Sequence, residues 1–458
     1  MKLRTFSLAL IAASAMSAMA EDTTILLDED AELTAIEIAA PNSTHSVCLP
    51  IADAMEAAAQ ASPDVAVAQA QIAGAKADLR LARSLSRPQV SSFARTQTGD
   101  GGLTGNAIDN QVGLRASQRL WDFGDARFAR EAASSRVGAA EQTQLSVEAD
   151  AARRVALSYI AALEAYERKG VTSEREDYFR RQLAALENAL EIGGATRSEV
   201  AEVAARLAEA EAERFEIEFQ IEQSTLQVAT DVNQPVSLCY DRSPVLPETA
   251  EGFSDMETDL ALITNPNIEA ARKNLGSLKA DQERARRERL PIVDVVAIGS
   301  YAYLDQFNTW EFRDRIGIDV SVPIFSGSAL NARSQAADAE VARARADLIR
   351  QRRQLREDIL ITRRRALSLY AQSVRRASVE DRKLEQFEAA EIEFDAGLKT
   401  LPDLVEDRLD YEDARLELIR VKYALLIERL NLLALTGQLS SYASNTHSTQ
   451  SSGASLNF

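Results

Sequence analysis

Two short stretches of this sequence place carboxylates where they could act together. Glu199 and Glu202 follow Gly194, and Asp403 and Glu406 follow Gly397. The members of each pair are three residues apart, which puts both on one face of a helix. Acids so placed can hold cations or line a polar passage. They can equally be ordinary first-turn acids, which favour a helix N-terminus by about 0.3–1 kcal/mol. A cation stands beside each pair, Arg197 and Lys399. A second charged set, Arg115, Arg119, Arg315 and Asp319, lies on stretches that alternate apolar and polar residues. The third set is the two cysteines, Cys48 and Cys239. In an oxidising compartment an even count suggests a disulfide; the alternative is two small buried residues.

Other chemistries are poorly supplied. The only histidines are His45 and His447, both in polar terminal segments, so histidine acid–base catalysis has little to work with. No Ser-His-Asp set, metal cluster or Gly-rich phosphate loop occurs, and the sequence predicts neither an enzyme nor a cofactor. Lys plus Arg number 52 against 70 Asp plus Glu, a net charge of −18. That balance argues against nucleic acid, which needs basic patches.

The N-terminus reads as an export signal. Lys2 and Arg4 precede an apolar run from Phe6 to Ala15, and Ala18-Met19-Ala20 forms an A-x-A site before Glu21. Residues 1–20 are expected to be removed, because the run is too short to cross a bilayer. No later stretch is apolar enough for a membrane helix. That leaves a periplasmic, secreted or β-barrel protein, since barrel strands give a weak hydropathy signal.

The elements that must position the charged sets come in two copies. Ala61 to Val90 aligns without gaps with Thr264 to Val293: Pro63 meets Pro266, Lys76-Ala77-Asp78 meets Lys279-Ala280-Asp281, and Pro88 meets Pro291. Further on, Val112-Gly113-Leu114 resembles Ile316-Gly317-Ile318, and Gly194 before Thr196 to Val200 resembles Gly397 before Lys399 to Leu404. Such a period marks a duplication. Cys48 and Cys239 each precede their own half, which makes a bridge between the halves plausible.

Each half predicts helix, strand, loop, strand, very long helix, Gly break and helix. Leu145, Ala152, Tyr159 and Tyr166 recur every seven residues, as do Leu348, Leu355, Thr362 and Leu369, an a/d coiled-coil pattern. Pro88 and Pro291 should end the helices before them. Ile316, Ile318, Val320, Val322 and Ile324 alternate with polar neighbours, as expected of a strand between lipid and a wet lumen; Arg115, Arg119, Arg315 and Asp319 then face the lumen. The expected map is an N-terminal segment 21–60 and a first repeat 61–235, with strands near 89–99 and 109–120 and helices near 125–192 and 196–232. An inter-repeat segment 236–263 follows. The second repeat is 264–438, with strands near 292–304 and 313–324 and helices near 328–396 and 401–436. A polar tail 439–458, disordered by composition, completes it.

This duplicated plan, with two strands inserted in each helical half, resembles the TolC family of outer membrane efflux proteins from about Cys48 to about Gln438. Leu120-Trp121-Asp122-Phe123-Gly124 looks like the family's strand-to-helix turn, and Gly194-Ala195-Thr196-Arg197-Ser198-Glu199-Val200 like its periplasmic helix tip. The second tip departs from the pattern at Lys399 and Pro402. The resemblance implies a mainly α fold with inserted β: a long antiparallel coiled-coil α-barrel, and a β-barrel shared by a homotrimer with four strands per chain. It implies the outer membrane of a Gram-negative bacterium, lipid contact, a periplasmic adaptor and an inner-membrane transporter, ABC or proton-driven. It places an entrance gate and adaptor contacts at Gly194, Arg197, Glu199, Glu202, Gly397, Lys399, Asp403 and Glu406. Thr196-Arg197-Ser198-Glu199 looks closer to ducts of type I secretion than to multidrug efflux ducts. The rival class is a soluble periplasmic coiled-coil scaffold or adaptor, against which the alternating strands speak.

Overall fold

The computed structural model describes residues 48–100, 106–240, 255–304 and 309–439. The export signal, His45, the loop residues Gly101, Gly102 and 305–308, and the tail with His447 lie outside the described residues. The elements run α1 Ile51–Ala61, α2 Pro63–Ser84, β1 Gln89–Asp100, β2 Asn106–Trp121, α3 Asp125–Glu191 and α4 Arg197–Val232. The second series is α5 Asp255–Thr264, α6 Pro266–Arg287, β3 Ile292–Leu304, β4 Thr309–Ser321, α7 Ala329–Asp395 and α8 Leu401–Leu435.

The order α1 to α4, with its hairpin, thus recurs as α5 to α8. Prolines at the starts of α2 and α6 suit the first helical turn, where no N–H bond is lost. Asn265 caps α6, its side chain accepting from the N–H groups of Asn267 and Ile268. The helices α3 and α7 are each 67 residues long, about 100 Å at 1.5 Å per residue. Each turns back at its C-terminal end into a shorter antiparallel partner. Among the described residues, no helix is long and apolar enough to cross a membrane.

The four strands form one antiparallel sheet in the order β1-β2-β3-β4. Its register puts Ile316, Ile318 and Val320 opposite Ala297, Val295 and Val293. Arg315 and Asp319 lie on the other face, opposite Ile298 and Asp294. The sheet joins α3 through Asp122, whose carboxylate accepts from Gly124 N–H at 3.0 Å and Ala126 N–H at 2.8 Å.

The core lies where α1, α3, α4 and α8 meet, around Met55, Val155, Tyr159, Ile160, Val228 and Leu430. Cys48 and Cys239 form a disulfide at its edge. The Tyr159 hydroxyl donates to the Leu49 carbonyl and accepts from the Cys239 N–H. The clasp therefore fixes the chain entering the first half and the chain leaving it to the middle of α3.

Several boundaries differ from the sequence map. Strand β2 starts three residues before position 109, and β1 runs to Asp100, because their pairing continues to Asp100–Asn106. Strand β4 starts at Thr309 and ends at Ser321. Val322 and Ile324 therefore lie beyond it, next to Pro323, which lacks the N–H a ladder needs. The segments read as connections carry helices α1 and α5, whose apolar residues Met55 and Ala261 are buried against the long helices.

Candidate functional site

Two regions carry the charged residues singled out by the sequence: the sheet, and the turns at the far ends of α3 and α7.

The sheet has one apolar and one polar face. On the first lie Val90, Val112, Leu114, Ile316, Ile318 and Val320, all exposed in the single chain. Tyr301 packs on Phe312 and Tyr303 on Trp310 at one end of this face, with centroids 5.2 and 5.6 Å apart. Trp121 and Phe123 meet edge to face at the other end. At about 3.3 Å per residue and a tilt near 40°, the stretch from Tyr303 to Val293 rises roughly 25 Å, the height of an outer membrane barrel's apolar band between its aromatic girdles. On the polar face lie Arg95, Arg115, Arg119, Arg313, Arg315, Asp294 and Asp319. Arg119 bridges to Asp294 at 3.7 Å and Asp125 at 3.4 Å, so it also ties strand to helix.

Each long helix ends in a Schellman turn. In the first, Gly194 N–H donates to the Ala189 carbonyl and Gly193 N–H to that of Leu190; in the second, Leu398 N–H donates to Glu393 and Gly397 N–H to Phe394. The left-handed residues are Gly193, at φ 76°, and Gly397, at φ 70°. The glycine matching Gly397 is therefore Gly193, one residue before the Gly194 expected from the sequence. The spacing of 203 that relates Pro63 to Pro266 points to Gly194, but past the strands the two halves are 204 apart, as Thr196 and Thr400 also are, and that spacing pairs Gly193 with Gly397.

The tip residues have local partners. Thr196 and Glu199 form a capping box: Glu199 accepts from the Thr196 N–H and hydroxyl at 2.7 and 2.8 Å, and its own N–H donates to the Thr196 hydroxyl. Those bonds hold its carboxyl below the usual range. The Thr400 hydroxyl donates to Asp403. Lys399 pairs with the buried Asp407, eight residues further along in the second turn of α8, a hydrogen bond that raises its pKa. Arg197 and Glu406 are exposed. Beneath the turns the two hairpins share one apolar cluster, with Tyr178 and Phe179 from α3, Val203 from α4, Phe387 from α7, and Leu401 and Leu404 from α8. Burial, then the nearby Glu391 carboxylate, pushes the Tyr178 hydroxyl up to about 12.

Sequence reasoning missed an ion cluster just behind these turns. Glu412, wholly buried on α8, accepts from Arg175 and Arg408 at 2.5 Å each. Arg175 also reaches Glu213 on α4 at 2.9 Å and Asp413 at 3.2 Å. Burial pulls the Arg175 pKa down; the Glu412 bond and the surrounding carboxylates more than reverse it, leaving it raised. The signal was present: Glu412 stands midway between Val405 and Ile419, at a seven-residue spacing whose other members are buried. Among the described residues, no group of three or more His, Cys, Asp and Glu could hold a metal ion.

Comparison with known proteins adds to this geometry. The family described as "Outer membrane efflux protein" matches residues 54–232 and again 258–438, once in each half. The chain is similar to the proteases secretion protein PrtF of Dickeya chrysanthemi, at 27% identity over 303 residues, which cover 62% of this chain and 64% of that protein. It is also similar to the alkaline protease secretion protein AprF of Pseudomonas aeruginosa, at 25% identity over 43% of this chain and 42% of that one. The matched stretches thus span less than two thirds of either relative. Among solved structures, the outer membrane channel CmeC of Campylobacter jejuni shares the fold. Its TM-score is 0.73 at 17% identity, covering 88% of this chain and 89% of that one.

Proposed function

The chain belongs to the outer membrane efflux protein family, and from that membership we propose that three copies form one exit duct carrying cargo from the periplasmic side to the outside. The family is one of transport ducts and not of enzymes. The observation that carries the reading is the sheet. Its apolar face and aromatic ends suit a bilayer, yet among the described residues β1 and β4 each have only one partner strand. An open edge cannot face lipid, so further copies close it, β4 of one pairing with β1 of the next. The long helices then continue the wall into the periplasm. Apolar residues left exposed on α7, among them Leu360, Tyr370 and Val374, are covered by the neighbouring copy.

The cargo we infer is protein, by type I secretion through an adaptor and an ABC transporter. Support comes from the two secretion-protein relatives and from the Thr196-Arg197-Ser198-Glu199 tip. The turns after α3 and α7 are the proposed entrance. There Glu202, Asp403 and Glu406, with Glu199 set by its capping box, ring the opening, and Arg197, Lys399 and the turn glycines Gly194 and Gly397 shape the adaptor contact. Detergent-extracted protein should run as a trimer and conduct in planar bilayers, and a trivalent cation added at the helix end should block it. Asp403→Ala with Glu406→Ala, or Glu199→Ala with Glu202→Ala, should relieve the block. A detergent-free, monomeric protein with no conductance would overturn the duct. Block unchanged in both double variants would reduce the acids to a solvated helix face.

A further inference from the structure

The polar face of the sheet is not uniform in charge. At the end nearest the long helices, the register sets Arg119 opposite Asp294 and Asp294 opposite Asp319. Arg119 is neutralised there by Asp294, Asp125 and Asp122. Four residues further along β2 the pattern inverts. Arg115 lies opposite Ile298, and Ile298 opposite Arg315. Both arginines are exposed. Among the described residues, neither they nor Arg95 make an ion pair, and Arg313 meets only Glu311, at 3.7 Å.

An arginine whose task is structural has acids around it, as Arg119 and Arg175 do. Arg115 and Arg315 stand level with each other and have none. Two strands apart, their backbones are about 10 Å from one another. At that distance the repulsion in water is small, but their fields add inside a passage walled by low-dielectric protein and lipid. Guanidinium is also the group that meets carboxylates in a planar, two-point fashion.

We propose that Arg115 and Arg315 form a guanidinium belt in the barrel lumen that transiently binds carboxylate-rich stretches of an extended acidic polypeptide as it leaves. The inference rests on the duct reading above. Three copies set six guanidinium groups in one band, about 6 Å tall, of a twelve-stranded wall roughly 24 Å across at the backbone. Arg95 and Arg313 lie on the same face toward the loop end. The belt therefore meets cargo after the acidic turns at the other end of the chain, and its many weak contacts allow the cargo to depart.

The test is planar-bilayer recording of the full-length trimer, with a deca-glutamate peptide added on the side of the sheet loops. The wild type should show peptide block that weakens as salt rises from about 0.1 to about 1 M, as screening demands. Arg115→Gln with Arg315→Gln should weaken the block about tenfold or more, because charge-assisted contacts are lost. Arg115→Lys with Arg315→Lys should retain most of it. Should the double Gln variant fail to insert, Arg315→Gln alone removes half the belt and is read the same way, with a smaller loss. Channels blocked equally in wild type and Gln variants would overturn the belt and leave the duct standing. A wild type that forms no channel would overturn both.

Discussion

The helices α3 and α7 occupy matching places in the two halves and have the same length, yet they sit in opposite surroundings. Twenty-one residues of α3 are buried, against seven of α7, so one helix is interior to the chain and the other forms its edge. The matched positions show why. Where α3 carries Tyr159, Ile160, Arg175 and Phe179, α7 carries Arg363, Arg364, Val379 and Lys383. α3 packs against both flanking pairs, and the disulfide clasp lies across it. α7 presents Tyr370 and Val374 to the outside. The two rods are equal in length, but one is the spine of the chain and the other is left exposed for the seam of the trimer proposed above.

That contrast can be broken or sharpened by mutation, beginning with the largest effect. Phe179→Ala should destabilise the detergent-solubilised protein by about 3–5 kcal/mol, as a wholly buried aromatic does. Lys383→Ala at the matching place on α7, which removes a half-exposed pair with Asp410, should cost less than about 1 kcal/mol. Equal losses in denaturant unfolding would mean that the two helices are equivalent after all.

Arg175→Met should cost about 3 kcal/mol, because Glu412 stays buried with one of its two arginines gone. Val379→Met at the matched position should be near neutral by the same measurement. Replacing both Cys48 and Cys239 by Ser should lower stability by about 2–4 kcal/mol, and reductant should do the same to the wild type while leaving the double variant unmoved.

On the seam side, Tyr370→Ser with Val374→Ser should change unfolding by less than about 0.5 kcal/mol per site, as exposed substitutions do. It should lower the fraction of trimer seen by native mass spectrometry. A trimer as abundant as wild type would show that this face of α7 is not the seam.

The smallest effect distinguishes the two turns. The Thr196 N–H and hydroxyl depress the Glu199 pKa. Its contribution should therefore be full above the unfolded value near 4.3 and vanish as pH falls through the lower folded value. Glu199→Gln should remove that part of the pH dependence of the unfolding midpoint between about pH 5 and pH 3. Identical profiles for variant and wild type would mean that the capping box contributes nothing measurable.

The sequence determined what local chemistry can dictate. Matched prolines stop α2 and α6 because the ring removes a donor and fixes φ. Alternation of Ile316, Ile318 and Val320 with Arg315 and Asp319 gives the sheet its two faces, since a strand turns every second side chain the same way. Seven-residue spacing and the lack of proline over α3 and α7 give two long rods. The tertiary structure decided what depends on distant neighbours. Tyr178 of α3 packs against Phe387 of α7, some 210 residues later in the chain, only because the two hairpins meet below the turns. Glu412, an acid in an otherwise apolar stripe, is tolerable only because α3 brings Arg175, some 240 residues earlier in the chain, to within hydrogen-bonding distance. A buried charge is satisfied by partners in space, and position along the chain does not reveal them.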